Sequence, residues 1–194
     1  MEDKLTTRRK VLIGMTAGFG AAGVPFAAVP FLSAWNPSAK AKAVGAPVKV
    51  DISKIQVGQK IQVAWRKQPV FVIRHSPEAL ANLSRIEEKL DDPQSNNIDE
   101  PYRDMNPTRS TSDEFTVIAG VCTHLGCSPK YYPDIEPQPW DETWIGGFFC
   151  PCHGSMFDIV GRVFKGVPAP TNLKVPPHTF SGNILTIGDD GEIT

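Results

Sequence analysis

The sequence predicts a mainly β head carried on a single N-terminal apolar helix. Three observations lead there: a long charge-free run near the N-terminus, short alternating segments punctuated by proline and glycine after residue 46, and the confinement of all four cysteines to residues 122–152. No long helical period follows residue 91. A length of 194 residues allows one well-built core plus an appendage. With 41% hydrophobic and 21% charged residues, the chain is neither disordered nor a multi-span membrane protein. Its net charge of -1, with no long basic run, argues against nucleic-acid binding, which rests on Lys and Arg meeting phosphates.

Residues 1–10 carry Lys4, Arg8, Arg9 and Lys10 against Glu2 and Asp3, a net of +2 that leaves -3 for the remainder. From Val11 to Ala39 there is no charge, and the 25 residues Val11–Trp35 are long and apolar enough to span a bilayer as a tilted helix. The apolar region of an export signal is only about 7 to 15 residues, so a retained anchor is expected over a cleaved peptide. Small-residue sites at Ala39-Lys40-Ala41 and Ala41-Lys42-Ala43 are the cleavage alternative. Thr7-Arg8-Arg9-Lys10-Val11-Leu12 resembles a twin-arginine export signal, a route for folded proteins. The plainer reading is flanking positive charge on the cytoplasmic side. Both leave residues 1–10 as a cytoplasmic tail and the head across the membrane.

Gly14, Gly18 and Ala22 recur every four residues and offer a close-approach face or simply moderate hydrophobicity. Pro25 and Pro30 are expected to bend or end the helix. Residues 36–48, small and rich in Pro and Gly without apolar periodicity, read as a flexible hinge linker, and 49–194 as the head.

Within the head, Lys60–Trp65 and Pro69–Ile73 read as two antiparallel strands about the turn Arg66-Lys67-Gln68. Ser76-Pro77 starts a helix with Leu80, Leu83, Ile86 and Leu90 on one face, stopped at Asp91-Asp92-Pro93. Residues 91–113 are polar and read as a surface excursion. Phe115–Val121 is a strand, Gly146–Phe149 leads into the second cysteine cluster, and further strands are expected at 155–158, 162–165 and 183–187. Asp190-Gly191 reads as a hairpin-type turn. No Gly-rich phosphate loop and no recognisable Ser/His/Asp signature is present.

The chemistry lies in two boxes, Cys122-Thr123-His124-Leu125-Gly126-Cys127 and Cys150-Pro151-Cys152-His153-Gly154-Ser155. Six thiol and imidazole groups on two tight loops suit a soft or borderline metal, iron or zinc. A structural zinc takes four ligands, usually with C-x2-C spacing. Here C-x-H and C-x2-H supply four and leave one cysteine per loop over, so zinc accounts for less of the pattern. A non-redox zinc-binding interaction module is the reading from a different class. His75 and His178 lie outside the boxes and read as structural or surface residues, Trp140 and Trp144 as packing.

The order C-T-H-L-G-C with C-P-C-H-G-S resembles the Rieske iron-sulfur proteins, whose 2Fe-2S centre is held by two cysteines and two histidines. The resemblance implies a Rieske-type antiparallel β-sandwich head with a small cluster-binding subdomain at about 117–170. It implies that Cys122 and Cys150 bind one iron, that His124 and His153 bind the other, and that Cys127 and Cys152 form a disulfide joining the loops. Ser155 matches the serine whose hydroxyl donates to a cluster sulfur. Phe157 stands where many members have a donating tyrosine, which implies a lower potential here.

The anchor, the linker and Gly166-Val167-Pro168-Ala169-Pro170-Thr171-Asn172-Leu173 extend the resemblance to the Rieske subunit of the cytochrome bc complex. Most members have Gly directly before Pro-Ala-Pro, whereas Val167 intervenes here. That family implies a redox subunit that takes one electron from quinol and passes it to a c-type cytochrome by head movement. His124 and His153 would face quinol and couple proton to electron transfer, and Leu125 would lie at the quinone-docking surface. The implied partners are cytochrome b, a c-type cytochrome subunit and quinol, within a dimeric complex of the bacterial inner membrane, the head on the periplasmic side. The nearest alternative is the small Rieske subunit of another exported oxidase, such as arsenite oxidase.

Overall fold

The computed structural model describes residues 2–39, 45–96 and 107–189. The chain forms two compact units, Met1–Ala43 and Val44–Thr194. The first holds one helix, α1 (Glu2–Ala34), of which Thr6–Ala34 is long and apolar enough to cross a membrane. Val11, Leu12, Phe19, Phe26 and Phe31 are exposed on it, as suits a helix solvated by lipid. Pro25 and Pro30 lie inside α1 and do not end it. Each proline removes one donor only, and the remaining bonds hold where no water competes for them. The Ser33 hydroxyl donates to the Pro30 carbonyl, 2.9 Å, near the helix end. Residues 40–44, which lie outside the described residues, hold five of the thirteen linker residues 36–48 and the expected small-residue cleavage sites apart from Ala39.

The second unit is built from three antiparallel three-stranded sheets, in the orders β1-β9-β8, β2-β3-β4 and β5-β6-β7. Their strands are β1 (Val48–Asp51), β2 (Lys60–Trp65), β3 (Gln68–Arg74), β4 (Phe115–Ala119), β5 (Lys130–Tyr132), β6 (Gly147–Phe149), β7 (Met156–Asp158), β8 (His178–Ser181) and β9 (Ile184–Ile187). The β2–β3 hairpin closes through Arg66 and Lys67, both in the left-handed region at φ 49° and 63°, as a two-residue turn matching strand twist requires.

Strand β3 explains the layering. Side chains alternate across a strand, so Val70 and Val72 point one way, into a core with Leu185 and Ile187 of β9. Phe71 and Ile73 point the other way, into a core with Phe148, Phe157, Cys122 and Cys150. A strand buried on both faces reads as a continuous apolar run, and Val70 to Ile73 is one. The middle sheet thus seats the small β5-β6-β7 sheet on its far side, with Phe71 stacked on Phe148 at 5.7 Å.

Several expectations are corrected. The helix from Ser76 is a short α2 (Pro77–Ala81), capped by Ser76 Oγ accepting from Ala79 N at 3.1 Å, followed by a 3-10 helix, Leu83–Lys89. Within the 3-10 helix the two buried residues, Leu83 and Ile86, are spaced by three, which is the 3-10 repeat. Residues 162–165 form no strand: Val163 bridges Phe157, and Phe164 bridges Leu90. The segment 91–113 is not a surface excursion over its described parts, because Asp92, Ser95, Thr108, Arg109 and Ser110 are all buried. Asp190-Gly191 lies outside the described residues.

Candidate metal centre

The two boxes occupy the loops that follow β4 and β6, and they are built alike. In the first, Cys122 N donates to Cys127 O (2.7 Å) and Gly126 N to Cys122 O (2.9 Å). In the second, Cys150 N donates to Ser155 O (2.8 Å) and Gly154 N to Cys150 O (2.9 Å). Each loop therefore closes over the same six-residue span and turns on a glycine, Gly126 at φ 85° and Gly154 at φ 77°, where a side chain would be strained. The repeated geometry places Cys122 and Cys150 at equivalent loop entrances. A disulfide between Cys127 and Cys152 clips the loops together.

The Sγ atoms of Cys127, Cys150 and Cys152 lie within 4.8 Å of one another, yet these three are not a ligand set, because two of the sulfurs are bonded to each other. The free thiols are Cys122 and Cys150, both buried. Burial pushes the Cys150 thiol above its ordinary value, and Cys122 beside it pushes the same way. A bound metal reverses this, since it takes the thiolate outright.

His124 is half-buried and His153 exposed, their rings edge to face at 4.7 Å between centroids. The Nδ1 atom of His124 is buried without a hydrogen-bond partner among the described residues. A buried polar atom in that condition costs free energy unless something binds it. Two facing thiols, two facing imidazoles and this orphaned nitrogen suit a centre with mixed sulfur and nitrogen ligation.

Ser155 is buried, and its Oγ accepts from Ala169 N at 3.0 Å. The Thr123 hydroxyl donates to Thr171 O at 2.7 Å. The 166–172 segment is thus pinned once to each Cys/His loop. Sequence reasoning overlooked Thr123, although it sits inside the first box. Leu125 is 71% exposed at the tip of that box. His75 and His178 are elsewhere and buried, paired with Thr116 Oγ1 and Ser110 Oγ, each at 2.8 Å. Trp140 stacks on Phe149 at 4.0 Å, and Trp144 is buried, so both are packing residues.

This arrangement defines a Rieske-type protein, and a family model described as Rieske [2Fe-2S] domain matches residues 87–177. Residues 1–38 match a model described as ubiquitinol-cytochrome C reductase Fe-S subunit TAT signal. The chain is 50% identical over 184 residues to the ubiquinol-cytochrome c reductase iron-sulfur subunit of Allochromatium vinosum, covering 94% of this chain and 89% of the relative. It is 43% identical to the subunit of the same name from Blastochloris viridis, covering 91% and 89%. Among solved structures, a chain of a hyperthermophilic respiratory Complex III matches at 28% identity and a TM-score of 0.50, covering 91% of this chain and 98% of that one. The chain belongs to the family of ubiquinol-cytochrome c reductase iron-sulfur subunits.

Proposed function

We propose that this chain is the electron-carrying subunit of a quinol-cytochrome c reductase, accepting one electron from quinol and delivering it to a c-type cytochrome. The observation that supports the reading is the pair of like-built loops, clipped by the Cys127–Cys152 disulfide, which leave Cys122 and Cys150 as neighbouring free thiols and set His124 and His153 ring to ring. In this reading Cys122 and Cys150 hold one iron and His124 and His153 the other. When bound, a 2Fe-2S cluster so ligated supplies a one-electron couple at a higher potential than an all-thiolate cluster.

The protein's own residues supply the rest. With His124 Nδ1 turned inward, its Nε2 is the nitrogen left to hold or release a proton at the surface, and exposed His153 has the same capacity. Exposed Leu125, between the histidine and the glycine of the first box, offers the apolar contact a quinol ring requires. Buried Ser155 Oγ accepts from Ala169 N, which leaves its own proton to donate toward the centre.

The anchor (11–35) holds the protein in the inner membrane, with residues 1–10 cytoplasmic and the head (49–194) periplasmic. The composition of 36–48 supports a hinge on which the head moves between a cytochrome b subunit and a c-type cytochrome subunit of a dimeric complex. Purification of the full-length chain from solubilised membranes tests this assignment. It should bring with it a b-type and a c-type cytochrome and quinol-dependent reduction of the latter. Equal reduction in membranes lacking the chain would contradict it.

A further inference from the structure

Among the described residues, four non-glycine residues have left-handed backbone. Arg66 and Lys67 make the β2–β3 turn, where that conformation is required. The other two, Ser95 (φ 54°) and Arg109 (φ 56°), belong to the buried parts of the 91–113 segment and lie outside any such hairpin. A side chain in that region is held there only where its surroundings over-determine it.

Both residues reach the same place, the exit of the 166–172 loop. Ser95 Oγ accepts from Asn172 Nδ2 at 2.9 Å. Arg109 Nη2 donates to Leu173 O at 2.8 Å, and its Nη1 to Val160 O at 2.9 Å. Asn172 is fully buried. Its Nδ2 also donates to Asp92 O at 2.9 Å, and its Oδ1 accepts from Val163 N at 2.8 Å. Leu173 N donates to Gly161 O at 2.8 Å. A Cβ at Gly161 would stand 3.2 Å from Arg109 Nη1, so the glycine leaves room for the guanidinium. One residue upstream of this bolted exit, Thr171 O receives the Thr123 hydroxyl, and two further back Ala169 N donates to Ser155 Oγ.

We infer that Ser95, Arg109 and Asn172 form a latch that seats the 166–172 loop on the two Cys/His loops. Residues 91–96 and 107–113 are then positioning elements for electron transfer. Besides the single bonds to Thr123 and Ser155, the loop is held by the packing of Val167 and Ala169 against the core that contains Cys122 and Cys150. A buried and satisfied polar network at its exit selects one path, as apolar packing alone does not. The consequence for electron transfer rests on the proposed function above, whereas the seating itself does not.

The test is Ser95→Gly in the full-length protein in detergent. Glycine accepts the left-handed backbone without strain and removes only the Oγ that Asn172 grips, so a general loss of stability is not expected. Amide hydrogen exchange in peptides spanning Ala169 should accelerate about tenfold, the equivalent of one lost hydrogen bond, while β3 and β4 exchange as before. The midpoint potential of the loaded protein should shift in the same variant. Asn172→Ala, if it folds, should give the same pattern more strongly. Unchanged exchange at Ala169, or acceleration spread evenly over β3 and β4, would overturn the latch. Faster exchange at Ala169 with an unmoved potential would overturn the positioning role. A wild-type protein without a Rieske signal would sink the proposed function while leaving the exchange result standing.

Discussion

The Cys127–Cys152 disulfide joins one cysteine from each Cys/His loop and leaves Cys122 and Cys150 as the free, buried thiols. The four cysteines are thereby divided between a covalent brace and two free thiols, and the rings of His124 and His153 meet edge to face at 4.7 Å; the proposed reading makes these thiols and imidazoles the ligands.

The brace has an energetic role. The bridged cysteines are 25 residues apart, and closing such a loop is worth about 3 kcal/mol in the chain-entropy model. Replacing Cys127 and Cys152 together by alanine should lower unfolding stability by roughly that amount in urea titration. An unchanged midpoint would show that the brace adds nothing to the fold.

Phe157 is fully buried in the core that holds Cys122 and Cys150. It stands where a tyrosine would offer a donor, and a donor favours the more negative reduced state. At about 1 to 1.4 kcal/mol, one such bond corresponds to roughly 40 to 60 mV for a single electron. Phe157→Tyr should raise the midpoint potential by about that much, and Ser155→Ala should lower it. Protein-film voltammetry reads both, and equal midpoints would refute the donor account.

His75 and His178 give the head an acid-sensitive stability. Burial lowers the pKa of each from 6.5 to about 4. His178 Nδ1 donates to Pro176 O at 2.8 Å, so Nε2 accepts from the Ser110 hydroxyl and the ring is neutral. The unfolded chain takes up protons below pH 6.5 while the folded one does not until about pH 4. The stabilisation is therefore complete above 6.5 and lost as pH falls through 4, by about 3 kcal/mol for each histidine. Urea unfolding at neutral pH and at pH about 4.5 should show most of that loss, and His75→Gln should flatten the slope. A pH-independent midpoint would contradict the assignment.

Stiffening residues 36–48 with added prolines should slow quinol-dependent cytochrome c reduction without moving the midpoint potential. Turnover indifferent to such changes would defeat the moving-head account and leave the ligand assignment intact.

What the sequence makes legible is local. Both Cys/His boxes stand out because their chemistry repeats within six residues, and the β2–β3 hairpin because alternation flanks a two-residue turn. The three-residue strand β5 is set by pairing with β6 alone and leaves no pattern to read. Strands β1 and β8 flank β9 and owe their register to it. The polar run 91–113 reads as surface because Arg109 finds its acceptors, Val160 O and Leu173 O, more than fifty residues away. No local signal announces such partners. The apolar spacing of Leu80, Leu83, Ile86 and Leu90 reads as one helix, and the break at Asn82 between the α-helix Pro77–Ala81 and the 3-10 helix Leu83–Lys89 leaves no mark in that pattern.

The central claim is that Cys122, His124, Cys150 and His153 hold a Rieske-type 2Fe-2S cluster. Electron paramagnetic resonance of the reduced full-length protein, with iron and zinc content measured on the same sample, tests it most directly. The account predicts a Rieske signal with two irons per chain, abolished by His124→Ala or Cys150→Ser while the Cys127–Cys152 bond still forms. A silent spectrum with one zinc per chain would contradict it.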